Sequence, residues 1–346
     1  LANIKRKNID ETELMELALE AREIGANCYT EIILGLPGDT LEAHFSTLKK
    51  VVEADFNNIS LYQLMLLPGT DLASEASKDK WKIETRYRAL PRCYGYFDCL
   101  GMEINAAEIE EIAVSNSSLS FEDYLNCRRL HLIVSVFYND GIYREVLILL
   151  KKLGLSVYDW LEKLYHYGDD NTFNDFVGQF VEETKAELWG DREQAEKSIK
   201  NRETLKDYIS GKVGSNLIFK YRASALVSHA DELAKAATTV TETYLRENGQ
   251  SQHQTLANEL IRFCTLRFSN IFENAHLPLR DRFTYPVHIF SEQGQKLSVD
   301  EFNSVSPMEL GFYPDERPAG NREKIQKTIW NRLQRIQPDA GKGIHA

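Results

Sequence analysis

Glu31 stands inside an otherwise apolar run that ends in Gly35-Leu-Pro-Gly-Asp-Thr40. A carboxylate there is costly unless it has a partner, either a neighbouring Lys or backbone group, or the donors of a ligand. Alternation puts Glu31, Ile33 and Gly35 on one face, and Gly35 removes the side chain that would block a ligand at the strand end. A second apolar run, Ile59 to Leu67, ends in Pro68-Gly-Thr70. The Gly35-x2-Gly38 turn lacks both the P-loop and the Gly-x-Gly-x2-Gly pattern, which argues against a nucleotide triphosphatase. Cys28, Cys93, Cys99, Cys127 and Cys264 form no disulfide framework and read as small buried hydrophobes. None of the eight histidines falls in His-x3-His or His-Glu-x2-His.

These residues need elements to hold them. Asp10 and Glu13 form a capping box, and Leu14, Leu17, Ala18, Ala21 and Ile24 make one apolar helical stripe that Gly25 ends. Cys28 to Leu34 predicts a strand covered on both faces. Thr40 caps a helix with the stripe Leu41, Phe45, Leu48, Val51 and Val52, and Ile59 to Leu67 predicts the next strand. The order implies parallel strands and a right-handed crossover. A charged segment, Lys78 to Arg92, then leads to the aromatic cluster Tyr94-Gly-Tyr-Phe97, which lines either a core or a pocket. Residues 103–115 fit a helix or a strand. Helices are expected over 121–138, 142–153, 157–166 and 173–187. A solvated helix is expected over 189–215, with a hinge at Gly211 and Gly214. Further helices are expected over 219–246, 254–272 and 322–336, and a strand through Phe283, Tyr285, Val287 and Ile289.

The 346 residues suffice for two domains. A net charge of −11 argues against a general nucleic-acid binder, because phosphates repel an acidic surface, and leaves room only for a local basic patch. No run reaches a membrane span, none reads as a signal peptide, and the scattered cysteines fit a reducing cytoplasm. Leu1 opens the chain within a helical pattern, so a piece of a longer polypeptide is expected.

The wording of Ile4-Lys-Arg-Lys-Asn8, Gly35-Leu-Pro-Gly-Asp-Thr40 and Pro68-Gly-Thr70, in that order, resembles the last third of the radical S-adenosylmethionine (radical SAM) barrel. The resemblance implies an α/β fold: residues 1–101 as strands five and six of a partial (β/α)6 TIM-like barrel, then residues 102–346 as a mainly α-helical domain with a break near 189–215. In the subgroup similar to oxygen-independent coproporphyrinogen oxidase, it implies that Arg6 pairs with the carboxylate of S-adenosylmethionine, a geometry Lys does not reproduce. From composition alone, Arg6 is an exposed cation beside Lys5 and Lys7. Glu31 would accept from the ribose hydroxyls or the amino group, although Asp is usual there. Met65 would sit near the adenine, and Ile33 and Gly35 would shape its pocket.

The family's 4Fe–4S ligands, Cys-x3-Cys-x2-Cys, are missing from this chain. The expected parent enzyme forms a 5′-deoxyadenosyl radical that abstracts hydrogen from its substrate, with an electron donor such as flavodoxin or ferredoxin. Alone the chain would be inactive. Residues 86–97 and 108–124 also resemble the segment downstream of the barrel in cobalamin-binding radical SAM proteins, which leaves cobalamin open as a methyl carrier. The alternative is a non-catalytic interaction module made from a barrel remnant. Neither a nucleic-acid nor a membrane partner is expected.

Overall fold

The computed structural model describes residues 11–24, 26–168, 170–211, 213–269, 279–293, 296, 298–302 and 307–312. Arg6, Gly25 and the helix expected over 322–336 lie outside them. Helices and strands are mixed, as expected for an α/β chain, and the described strands form small sheets rather than a closed barrel. The chain divides into two compact units, residues 1–131 with 178–220 and residues 132–177 with 221–346. The boundary expected at 101/102 falls in the turn of a long hairpin.

In the first unit, α1 (Glu11–Glu23) precedes β1 (Tyr29–Leu34), α2 (Leu41–Glu53) and β2 (Asn58–Gln63). β1 and β2 pair in parallel from Tyr29↔Asn58 to Leu34↔Gln63. Thr40 caps α2, its hydroxyl accepting from Ala43 N at 3.1 Å, and Leu48, Val51 and Val52 are buried. Of the stripe expected on α1, Ala18 is buried while Leu17 and Ile24 are exposed. β1 has a single strand neighbour among the described residues.

After α3 (Glu75–Trp81), the charged segment and the ambiguous stretch form one hairpin, β3 (Glu84–Cys99) with β4 (Met102–Ser115). The start of the expected helical domain is therefore strand. Alternating Arg, Tyr and Glu are satisfied here by cross-strand partners: Lys78 Nζ lies 2.8 Å from Glu111, whose carboxylate also accepts from Thr85 Oγ1 at 2.8 Å. Residues 64–66, beyond β2, pair antiparallel with 111–113: Ala113 N donates to Leu64 O at 2.9 Å, and Leu66 N to Glu111 O at 2.8 Å. One mixed sheet results. Leu34, Ile112, Val114 and Leu119 pack on one side of it with Tyr124, Leu125 and Cys127 of α4 (Phe121–Ile133).

The second unit contains α5 (Arg144–Lys152), α6 (Val157–His166) and the start of α7 (Asn171–Ala186) as far as Val177, the rest of α7 belonging to the first unit. The solvated helix expected over 189–215 is two, α8 (Arg192–Lys200) and α9 (Arg202–Ile209), because Asn201 ends one and caps the other. The helix expected over 219–246 is likewise α10 (Leu217–Val227) and α11 (Ala230–Glu247), and α12 (Gln254–Ser269) follows. The tail strand ends early: β5 (Leu279–Phe283) is followed by α13 (Val287–Gln293), since Pro286 suits a helix entry. Then come α14 (Val299–Phe302) and β6 (Met308–Phe312), which pairs antiparallel with β5.

Trp160, fully buried on α6, donates through Nε1 to Thr241 Oγ1 of α11 at 2.9 Å. Arg222 Nε lies 2.9 Å from both oxygens of the buried Asp140. Burial raises the Asp140 carboxyl above its ordinary value even with Arg222 beside it. A stranded buried charge costs more than the pair contributes, so Arg222→Met should destabilise the protein by about 3 kcal/mol or more, and Asp140→Leu/Arg222→Met should recover most of that loss. Urea unfolding of both variants checks this; equal losses would mean that packing, not the stranded carboxylate, sets the cost.

Candidate functional site

β1 and β2 have unlike faces. Ile32, Leu34 and Ile59 are buried, as the apolar run requires. The other face carries Glu31 opposite Ser60 and Ile33 opposite Tyr62. Ile33 packs against Leu64, Leu66, Ile83 and Ala113, whereas Glu31 is exposed and Tyr62 is 49% exposed. Glu31 makes no hydrogen bond or ion pair among the described residues.

Both strands lead into the same turn. In Leu36-Pro-Gly-Asp39, Asp39 N donates to Leu36 O at 2.9 Å, with Gly38 at φ +87°. In Leu67-Pro-Gly-Thr70, Thr70 N donates to Leu67 O at 3.2 Å, with Gly69 at φ +83°. Pro sets the second position and Gly supplies the positive φ of the third, the chemistry of a type II turn. Gly35 is buried at φ +93°, and a Cβ there would lie 3.4 Å from Ala113 O. The space expected to open toward a ligand is thus occupied by β4, and Gly35 permits that close approach.

The segment after β4 holds the first turn. Asn116 Nδ2 lies 3.2 Å from Leu36 O and 3.4 Å from Gly35 O. Ser118 Oγ sits between Asp39 O at 2.8 Å and Asn116 Oδ1 at 2.9 Å. His44 of α2 has Nδ1 3.4 Å from Asp39 Oδ2, and its Nε2 lies 2.8 Å from Nε2 of His131 on α4. With the His44 Nδ1 proton directed at Asp39, His44 Nε2 accepts and His131 Nε2–H donates. Nδ1 of His131, a fully buried residue, then has no partner among the described residues. Burial, followed by His44 and Arg128, holds His131 well below the ordinary imidazole range.

Nearby, Arg88 bridges Glu110 and Glu187, the latter at 2.6 Å. Burial pushes the Tyr124 phenol up to about 12. Tyr124 Oη and Arg128 Nε have no hydrogen-bond partner among the described residues, and the Arg128 guanidinium lies 5.4 Å from the Phe180 ring.

Met65 completes the strand-end edge. Its bridge to Ile112 is bonded through its neighbours Leu64 and Leu66, and Leu64 N also donates to Leu34 O, so the Met65 N–H and C=O face away from both β4 and β1, toward the opposite edge of the strand. No hydrogen bond among the described residues engages either group, and Met65 is 38% exposed. The structure therefore places Gly35 and Met65 just beyond the ends of β1 and β2, Ile33 near the end of β1 and Glu31 at its middle. Ser60 and Tyr62 join them; their signal in the sequence was the alternation within Ile59 to Leu67. His44 and His131 had no motif spacing, though His44 occupies an inward position between Leu41 and Leu48.

No group of three or more His, Cys, Asp or Glu able to hold a metal occurs among the described residues. Cys127 and Cys264 are buried as expected, while Cys93 and Cys99 are exposed and Cys28 is half-buried. A cleft of about 560 Å³ lies elsewhere, between α6 and α11, but its Lys163 is paired with Glu247 at 2.6 Å and its Tyr244 donates to Ser156 O. No helix among the described residues is long and apolar enough to cross a membrane. Comparison with protein-family models and with curated proteins finds no match to the chain.

Since His131 is held neutral when folded but titrates near 6.5 when unfolded, its contribution is present above that pH and is lost as pH falls below it. Between pH 7 and 5.5, wild type should lose about 1 kcal/mol more stability than His131→Gln. Urea midpoints at the two pH values test this, and parallel losses would refute it.

Proposed function

We propose that the carboxyl ends of β1 and β2 bind the nucleoside of S-adenosylmethionine, in a radical SAM enzyme whose cluster ligands come from outside these 346 residues. The observation that carries the reading is the unpaired peptide edge of Met65, three residues beyond Tyr62 on the strand that pairs with the Glu31 strand. A backbone N–H and C=O presented together match the donor–acceptor edge of an adenine. A free carboxylate matches vicinal ribose hydroxyls or an ammonium, and an exposed ring offers a stacking surface. The parallel β1–α2–β2 unit suits strands five and six of a partial barrel, and β1 has no second strand neighbour among the described residues.

The described residues offer no trio of thiolates, so a 4Fe–4S cluster does not fit this chain. What these residues contribute is binding and orientation. Glu31 would fix the sugar, and Met65 would fix the base through its backbone. Asn116, Ser118 and His44 would hold the turn that shapes the strand end. Reduction, radical formation and any methyl transfer from cobalamin belong to groups that this chain does not supply.

Equilibrium dialysis of S-adenosylmethionine and of adenosine against the full chain tests the reading. Saturable binding of both is expected. Glu31→Ala and Met65→Pro should each weaken it at least tenfold, roughly 1.4 kcal/mol. Proline removes only a donor that faces away from the ladder, so the urea midpoint of Met65→Pro should stay near wild type. Absence of saturable binding, or full affinity in Met65→Pro, would sink the proposal.

A further inference from the structure

The distal half of the β3–β4 hairpin has its apolar side turned outward. Its register pairs Gly95 with Ala106, Phe97 with Ile104 and Cys99 with Met102, and these six share one face. The opposite face carries Tyr94, Tyr96 and Asn105, which are engaged by the helices beneath. Tyr96 Oη donates to Arg202 O at 3.0 Å and Asn105 Nδ2 to Lys200 O at 3.3 Å, while Tyr94 meets the Tyr208 ring edge-on. A half-buried ribbon ordinarily buries its apolar row. Here Phe97 is 55%, Met102 64% and Ile104 44% exposed, and Leu100, at φ +55° in the turn, is 96% exposed. On β4 the same row begins with Val114 and Ile112, which are buried in the core. The register shift between Ala89 and Tyr94 sets which residues of β3 join it.

We infer that this face is a docking surface for a short amphipathic helix whose apolar stripe is flanked by lysine and arginine. Two strands about 5 Å apart and six residues long give a footprint roughly 10 Å wide and 20 Å long, the size of a helix of about 14 residues. Glu108 is exposed on the same face, Asp98 and Glu103 are exposed on the other face with Glu103 paired to Arg202 at 3.6 Å, and the chain carries −11 overall, so a basic partner is complementary. The same charge opposes a second copy, and a patch of a few hundred Å² falls short of the ~800 Å² per partner that a standard interface buries. It also opposes an anionic membrane surface.

The probe is a fluorescent 18-residue Leu/Lys peptide with a helical apolar stripe, compared with a scrambled peptide of equal composition. Fluorescence anisotropy with the full chain should show salt-sensitive binding of the striped peptide alone, weakened at least tenfold by Phe97→Ser/Met102→Ser. On the unmodified protein, the striped peptide should slow alkylation of Cys99, which lies on the face, and leave Cys93, in the bulge, reactive. Equal binding of both peptides, retention in the double variant, or an unprotected Cys99 overturns the inference. So does binding to phosphatidylcholine or phosphatidylserine vesicles, or self-association in sedimentation velocity, that the double variant abolishes, because a membrane or a second copy would then be the occupant.

Discussion

The antiparallel pairing of residues 64–66 with 111–113 is the constraint on which the first unit depends. Two backbone bonds, Ala113 N to Leu64 O and Leu66 N to Glu111 O, join a parallel β-α-β unit to a hairpin. Without them β1 and β2 would be an isolated pair, below the three strands that ordinarily make a stable sheet. With them Ala113 O comes against Gly35, Ile112 and Val114 complete the core over Leu34, and Asn116 reaches the carbonyls of the first turn. The same pairing directs the Met65 peptide groups outward, so the edge proposed to read a nucleoside follows from the pairing that builds the sheet.

Around that pairing, polar groups occupy positions that would be apolar in a simpler core. Tyr124, Arg128 and His131 follow one another at i, i+4 and i+7 on α4, each almost fully buried. Arg88 draws Glu110 and Glu187 together, and His131 backs the His44–Asp39 contact at the strand-end turn. Buried networks of this kind contribute little net stability, but they are costly to rearrange. Their effect here is to hold the Leu36–Asp39 turn from α2, α4 and the segment after β4 at once.

In the second unit the buried carboxylates have cations or hydroxyls close by, although His253 Nδ1, Asn258 Oδ1 and His288 Nδ1 have no hydrogen-bond partner among the described residues. Asp140 is bound by Arg222, Glu145 by Arg267, Ser291 and Cys264, and Asp170 lies 2.7 Å from Lys235. In the first, binding capacity is left over at two places: the strand-end edge at Glu31, Tyr62 and Met65, and the outward row of the distal ribbon. One offers hydrogen-bonding groups to a polar ligand, the other apolar area with an acidic border. Different partners are therefore suited to the two places.

Local chemistry made much of this chain legible. The paired Leu-Pro-Gly turns, the parallel strands they end, the Thr40 cap and most helices follow from positive-φ demand, capping and 3.6-residue periodicity, which act within a few residues. Helix breaks at Asn201 and near Ser228, and the entry at Pro286, carried local signals too, but long apolar periodicity masked them. The long hairpin was not legible, because its Arg, Tyr and Glu become satisfied only through partners on the other strand or in α3. Nor did any local signal place Ala113 against Gly35 or His131 against His44, residues 78 and 87 positions apart in the chain. By itself the sequence determined which residues turn, cap and alternate. Tertiary structure alone decided which backbone groups are left unpaired and which apolar row faces outward, because both depend on long-range pairing and on what covers each face.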